Sequence, residues 1–225
     1  MHSNRQRKLS RTAAAVAAAA AALALLAGCA ALAPKPNYDA LLGQMMKTSF
    51  RDQGIAKLDR LHQDESDIAC SHAEGAALPP ATAKSIEAAN LKTVKMPADG
   101  RFLGDWKEGE KLAQNGRGMT WTDKSAAPSA NGGNCYNCHQ ITKAEVSFGT
   151  IGPSLYHYGK ARGVSDPASP AAKATVEYTW TKLYNAKAYN ACSEMPRFGH
   201  AGLLDEAQLK NLMALLLDPK SPVNQ

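Results

Sequence analysis

The chain has 225 residues, 26 basic against 20 acidic, for a formal net charge of +6. Residues 1–28 carry four of the basic residues and no acid, so the remainder holds 22 basic against 20 acidic residues, a charge of +2. That remainder has no long basic run, which argues against a nucleic-acid partner, and no apolar run long enough to cross a bilayer.

Residues 1–28 read as an export signal. Arg5, Arg7, Lys8 and Arg11 form its basic start, and Thr12 to Ala27 is an alanine- and leucine-rich apolar run. The rival reading is a membrane-spanning helix, but the run is short and Gly28, Pro34 and Pro36 end it. Leu26-Ala27-Gly28-Cys29 resembles a bacterial lipobox, which would make Cys29 the lipidated first residue of the mature protein. The other cleavage site, Ala31-x-Ala33, leaves Pro34 just after the cut, where proline is poorly tolerated. Either route delivers the chain to an oxidising compartment. The expected location is the periplasm, with a lipid anchor through Cys29.

Residues 29–98 read as a tether followed by a helical N-terminal extension. Tyr38 to about His62 has apolar residues at helical spacing (Leu41, Leu42, Met45, Met46, then Leu58 and Leu61), with Gly54 as a weak point. Glu74 to Pro80 is a break, and Pro79-Pro80 opens a short helix to about Leu91. Lys95 to Gly100 marks the boundary to a main domain at residues 99–225. There Asp105 to Gln114 reads as helix, Thr122 to Asn134 as loop and Thr175 to Ala188 as helix. In the last helix Asp205 and Gln208 form a capping box. Leu209, Leu212, Met213, Leu216 and Leu217 make one apolar stripe, and Pro219 stops it. The fold class is mainly α.

Cys135-Tyr136-Asn137-Cys138-His139 carries the chemistry. Two cysteines separated by two residues, with a histidine directly after, is the attachment pattern of a c-type haem. The two thiols add across two vinyl groups of one porphyrin and must sit about one helical turn apart. The histidine then lies under the iron as proximal ligand. A thioredoxin-like redox pair or half a zinc site also uses this cysteine spacing. Neither needs the adjacent histidine, and no second Cys-x-x-Cys completes a zinc cage.

With Cys29 assigned to lipid and Cys135 and Cys138 to haem, Cys70 and Cys192 remain. They are expected to form a disulfide, worth about 4 kcal/mol on the loop-entropy account. The alternative is a free thiol that reacts or bridges to a partner.

The order of these features resembles a class I cytochrome c over residues 99–225. The resemblance implies one covalently bound haem c. It makes Gly109 the small residue where the first and last helices of the domain cross. It makes Gly152-Pro153 the segment whose proline carbonyl accepts the His139 Nδ1 proton, and Met195, followed by Pro196, the distal ligand. His139 and Met195 are then the iron ligands. His157, His200 and an open iron site remain alternatives, Met119 could line the pocket, and Met213 in the apolar stripe reads as core.

Closer still, Gly133 to Gln140, Gly149 to Leu155, Tyr184-Asn185-Ala186, Met195-Pro196-Arg197-Phe198-Gly199 and Leu215 to Pro219 are similar to the SoxX family of bacterial sulfur oxidation. The N-terminal extension and the lipobox depart from its shorter members. That resemblance implies a heterodimer with a SoxA-like cytochrome subunit, which meets a SoxYZ-like carrier protein. Thiosulfate is conjugated there to a carrier cysteine. This chain would be the non-catalytic electron-relay subunit of that L-cysteine S-thiosulfotransferase complex, passing electrons to a small acceptor cytochrome. The rival function is a stand-alone lipid-tethered class I cytochrome c carrier, and a third is a haem enzyme with an open iron or a cysteine ligand. Lys143, Lys160, Arg162, Lys182, Lys187 and Arg197 read as scattered surface cations, or as a ring that steers an acidic partner.

Overall fold

The structure, a computed structural model, describes residues 36–72 and 76–225. The expected export signal and Cys29 lie outside the described residues. These residues are mainly helical. They contain no strand, only an isolated bridge between Gln53 and Ala56. No helix among them is long and apolar enough to cross a membrane. The chain divides into two units, one ending at Phe50 and the other running from Arg51 to Gln225.

The first unit holds α1 (Tyr38–Ser49), whose start is capped by the Asn37 side chain accepting from the Ala40 N–H at 3.0 Å. The helix predicted to reach His62 therefore stops at Ser49. Phe50 turns extended (φ −106°, ψ 146°), and Gly54 has left-handed φ +52°. A Cβ on Gly54 would lie 2.5 Å from the Trp121 carbonyl oxygen, so close approach reinforces the glycine there. A 3-10 turn, Leu58–Leu61, follows.

Residues 51–98 belong to the same compact unit as residues 99–225. They contribute α2 (Glu65–His72) and α3 (Pro80–Leu91). The helix α2 escapes an apolar-periodicity reading because it is polar. Its start is marked instead by Asp64, whose carboxylate accepts from the Asp67 N–H at 2.9 Å, with Glu65 and Asp67 in the first turn.

Four further helices follow: α4 (Trp106–Gln114), α5 (Tyr158–Ala161), α6 (Lys173–Tyr184) and α7 (Glu206–Leu217). Asp105 caps α4 by accepting from the Lys107 N–H, and the predicted Asp205–Gln208 capping box is present on α7. Leu209 and Leu212 to Leu217 are all buried, so α7 is enclosed nearly all round rather than along one stripe. It forms the centre of the core with Trp180, Ile141 and Val223.

The helices α4 and α7 cross in direct contact. At the crossing a Cβ on Gly109 would sit 2.1 Å from the Asn211 carbonyl oxygen, so only glycine admits this approach. The junction is tied by the Gly104 N–H to the Lys210 carbonyl at 2.9 Å and by the Asp105 N–H to Asn211 Oδ1 at 2.8 Å. The helix α6 ends at Tyr184, four residues before the predicted Ala188. Asn185 (φ −148°, ψ 97°) turns its amide to Asn90 Oδ1 and accepts from the Lys187 N–H. This local side-chain bonding competes with the helical ladder. Ala186–Ala188 then continue as a 3-10 turn.

Candidate functional site

Cys135, Cys138 and His139 are gathered by one tight turn. Asn134 enters it with left-handed φ +52°, Cys135–Asn137 form a 3-10 turn, and the N–H groups of Cys138 and His139 both donate to the Cys135 carbonyl at 3.1 and 2.9 Å. The loop before it is pinned to the end of α4. Gly133 N–H donates to the Leu112 carbonyl at 2.8 Å, and Asn134 N–H to that of Asn115 at 3.0 Å. After the turn, Glu145 accepts from the Ile141 N–H at 2.6 Å and from the Gln114 amide at 2.8 Å, closing the loop back onto α4.

A second strap, residues 149–155, lies against the turn. The N–H groups of Gly149, Gly152 and Leu155 donate to the carbonyls of Tyr136, Cys138 and Gln140 at 3.0, 2.8 and 2.7 Å. The register demands small residues. A Cβ on Gly149 would lie 1.8 Å from the Asn137 oxygen, and one on Gly152 would lie 2.2 Å from His139 Cε1. The strap brings the Pro153 carbonyl to 2.6 Å from His139 Nδ1. A carbonyl only accepts, so Nδ1 is the donor, and in the neutral ring the lone pair is then on Nε2. Among the described residues Nε2 has no hydrogen-bond partner. This is how a metal-ligating imidazole is usually oriented.

The two motif cysteines are unbridged, whereas Cys70 and Cys192 form a disulfide with a Cα–Cα distance of 5.6 Å. The expected pairing is therefore present. Burial pushes the Cys135 thiol up to about 12, with the neighbouring Cys138 adding to the effect. That is opposite to the lowered thiol pKa of thioredoxin-like motifs. Among the described residues no three His, Cys, Asp or Glu side chains gather into a metal cage. The donor set is instead two unbridged thiols and one imidazole in a single turn. It fits attachment of a porphyrin by two thioethers with ligation from one face.

Met195 is half-buried and packs against the hydrophobic core. Its loop is tied to the end of α6 by the Gly199 and His200 N–H groups, which donate to the Tyr184 carbonyl at 3.1 and 3.0 Å. Of the other ligands weighed, His157 has its Nε2 on the Gln225 carbonyl at 2.7 Å and its ring stacked on Tyr156. Met213 is fully buried in α7, as core. His200 is exposed, with its pKa lowered by partial burial and by the nearby Arg197. Met119 takes a left-handed backbone, and its carbonyl accepts from Arg60.

Two of the cations read as surface charges are not free. Lys187 Nζ lies 2.8 Å from Asp67 with its side chain 8 % exposed, and Arg197 lies 2.6 Å from Asp64. Sequence reasoning missed these acids. Their signal was Asp64-x-x-Asp67-x-x-Cys70, a spacing that puts all three on one helical face.

No protein-family model matches the chain. It is 36 % identical over 137 residues to a protein of Aquifex aeolicus (strain VF5) named "Uncharacterized lipoprotein". The match covers 59 % of this chain and 59 % of that relative's length.

Proposed function

We propose that this chain is a monohaem electron-transfer protein of class I cytochrome c type, similar to SoxX, held at the periplasmic side of a membrane by lipid on Cys29. The observation that carries the reading is the His139 tether. The His139 Nδ1–H donates to the Pro153 carbonyl, leaving Nε2 open beside two unbridged cysteines in one turn. The haem, when bound, supplies one-electron redox chemistry. Cys135 and Cys138 hold it covalently, and the Pro153 carbonyl orients His139 and raises its basicity as a ligand. Met195 would supply a soft sulfur donor, which favours the reduced metal more than a second imidazole does. The crossing of α4 and α7 at Gly109 agrees with the fold expected of this class.

As a SoxX-like subunit the chain relays electrons released when a SoxA-like partner conjugates thiosulfate to a carrier-protein cysteine. The test is reduction of the purified chain by thiosulfate with and without the SoxA-like subunit and carrier. Reduction at a catalytic rate only with the partners supports the relay, and equally fast reduction of the isolated chain refutes it. The stand-alone lipid-tethered carrier is the second reading, and the lipoprotein name of the Aquifex relative fits both alike. Affinity purification from thiosulfate-grown cells separates them. A co-purifying cytochrome supports the two-subunit assembly, and its absence under conditions that preserve such complexes supports the lone carrier.

A further inference from the structure

We infer that α2 is a clamp that holds the Met195 loop in its ligating position, with Asp64, Asp67 and Cys70 as positioning residues. This rests on the reading of Met195 as the distal ligand. The three anchors recur every third residue and share one face of the helix and its cap. Each one ties the same segment. Cys70 is bonded to Cys192, three residues before Met195. Asp64 pairs with Arg197, two residues after Met195, at 2.6 Å. Asp67 holds Lys187 at 2.8 Å and lies 3.7 Å from Arg197.

A second layer backs these ties. Glu87 on α3 accepts from the Ala191 N–H at 3.3 Å, and Asn90 receives the Asn185 amide at 2.9 Å. Asn90 in turn donates to Ser66 on α2 at 3.1 Å, linking the two helices.

The ties matter because the loop is not close-packed on α2. Between the two lies a cleft of about 400 Å³ lined largely by polar and charged groups, among them Gln63, Ser71 and Ser193, with Met195 and Pro196 also on its wall. Toward α2 the loop keeps its place through these anchors, which add to the packing of Met195 and Phe198 on the core. The segment 192–197 is thus fixed at both ends onto one helix, with Met195 between the fixed points. Loss of either anchor frees that side of the span. The thioether then leaves the iron for part of the time, while the covalent attachment at Cys135 and Cys138 is untouched.

The test uses the matured, haem-loaded protein and three variants: Asp64→Asn/Asp67→Asn, Cys70→Ser/Cys192→Ser, and Met195→Ala as the open-site limit. Lys210→Gln serves as a control. It removes ion pairs to Asp99 and Glu206 that do not touch the loop. The readouts are the long-wavelength thioether-to-ferric-iron absorption band, the affinity for added imidazole and the thermal midpoint. Both clamp variants should weaken the band and tighten imidazole binding by on the order of tenfold, as expected when a competing internal ligand is loosened by about 1.4 kcal/mol. Lys210→Gln should leave both unchanged even if its midpoint falls. The aspartate pair keeps the disulfide, so it reports even if the cysteine pair fails to accumulate. If the aspartate variant keeps the full band and native imidazole affinity while Met195→Ala loses the band, the clamp is wrong and Met195 stands as ligand. If Met195→Ala keeps the band, the ligand assignment fails and the clamp fails with it.

Discussion

Gly152→Ala tests the imidazole tether directly. The added Cβ would sit 2.2 Å from His139 Cε1 and 2.5 Å from Nδ1, where ordinary contact begins near 3.4 Å. The ring, or the strap carrying Gly152, must move by about 1 Å to relieve this overlap. A movement of that size stretches the 2.6 Å bond from His139 Nδ1 to the Pro153 carbonyl beyond hydrogen-bonding range. Overpacking costs about 1–3 kcal/mol, and the lost hydrogen bond adds about 1 kcal/mol. The sum, about 2–4 kcal/mol, lowers the thermal midpoint by roughly 5–15 °C for a unit of this size. The assay is thermal unfolding followed by circular dichroism, with Gly43→Ala as the control because nothing lies within 4 Å of its added methyl. In the haem-loaded protein the same variant should also raise the reduction potential, since without the Pro153 acceptor the imidazole is a less basic ligand and stabilises the ferric iron less. A Gly152→Ala protein that melts with the wild type and keeps its potential would refute the tether.

Gly109→Ala brings a Cβ to 2.1 Å from a backbone oxygen that cannot rotate away, so it should cost 3 kcal/mol or more, roughly, and sharply reduce folded yield. Removing the Cys70–Cys192 bridge, whose cysteines are 122 residues apart, should cost about 5 kcal/mol on the chain-entropy account. Denaturant melts of Cys70→Ser/Cys192→Ser check this, and labelling of Cys70 and Cys192 themselves in the native wild type would contradict the bridge. Burial alone would raise the Asp64 pKa, but the Asp67 N–H and Arg197 outweigh it and the pKa is lowered. A lowered folded-state pKa gives stability that is present above the unfolded value, near pH 4, and is lost as pH falls through the folded value. Acid titration of stability should therefore show a smaller loss below about pH 4 in Asp64→Asn than in wild type.

What was legible in the sequence was carried by local chemistry. Asp205 and Gln208 announce α7, Asp105 announces α4, and the spacing of Cys135, Cys138 and His139 requires the tight turn that is observed. The Gly152-Pro153 pair was readable through the family resemblance, and the fold brings it to His139. Less was legible where tertiary contacts override local preference. The apolar spacing of residues 38–62 suggested one helix, but Phe50 and Gly54 break it. The helix α6 gives way at Asn185, whose side chain finds partners on α3. The helix α2 was invisible to hydrophobic periodicity because it meets the rest of the unit through Asp64, Ser66, Asp67 and Cys70, and its charged partners, Lys187 and Arg197, lie more than a hundred residues away.

The central claim is that Cys135 and Cys138 carry a covalently bound haem under His139. The most direct measurement is the intact mass and visible spectrum of the protein exported in cells that attach haem to c-type cytochromes. The account predicts a mass greater than that of the processed polypeptide and any lipid by one haem, with a Soret band that stays with the chain after acid–acetone extraction. A mass equal to polypeptide plus lipid, with no Soret absorption, would contradict it.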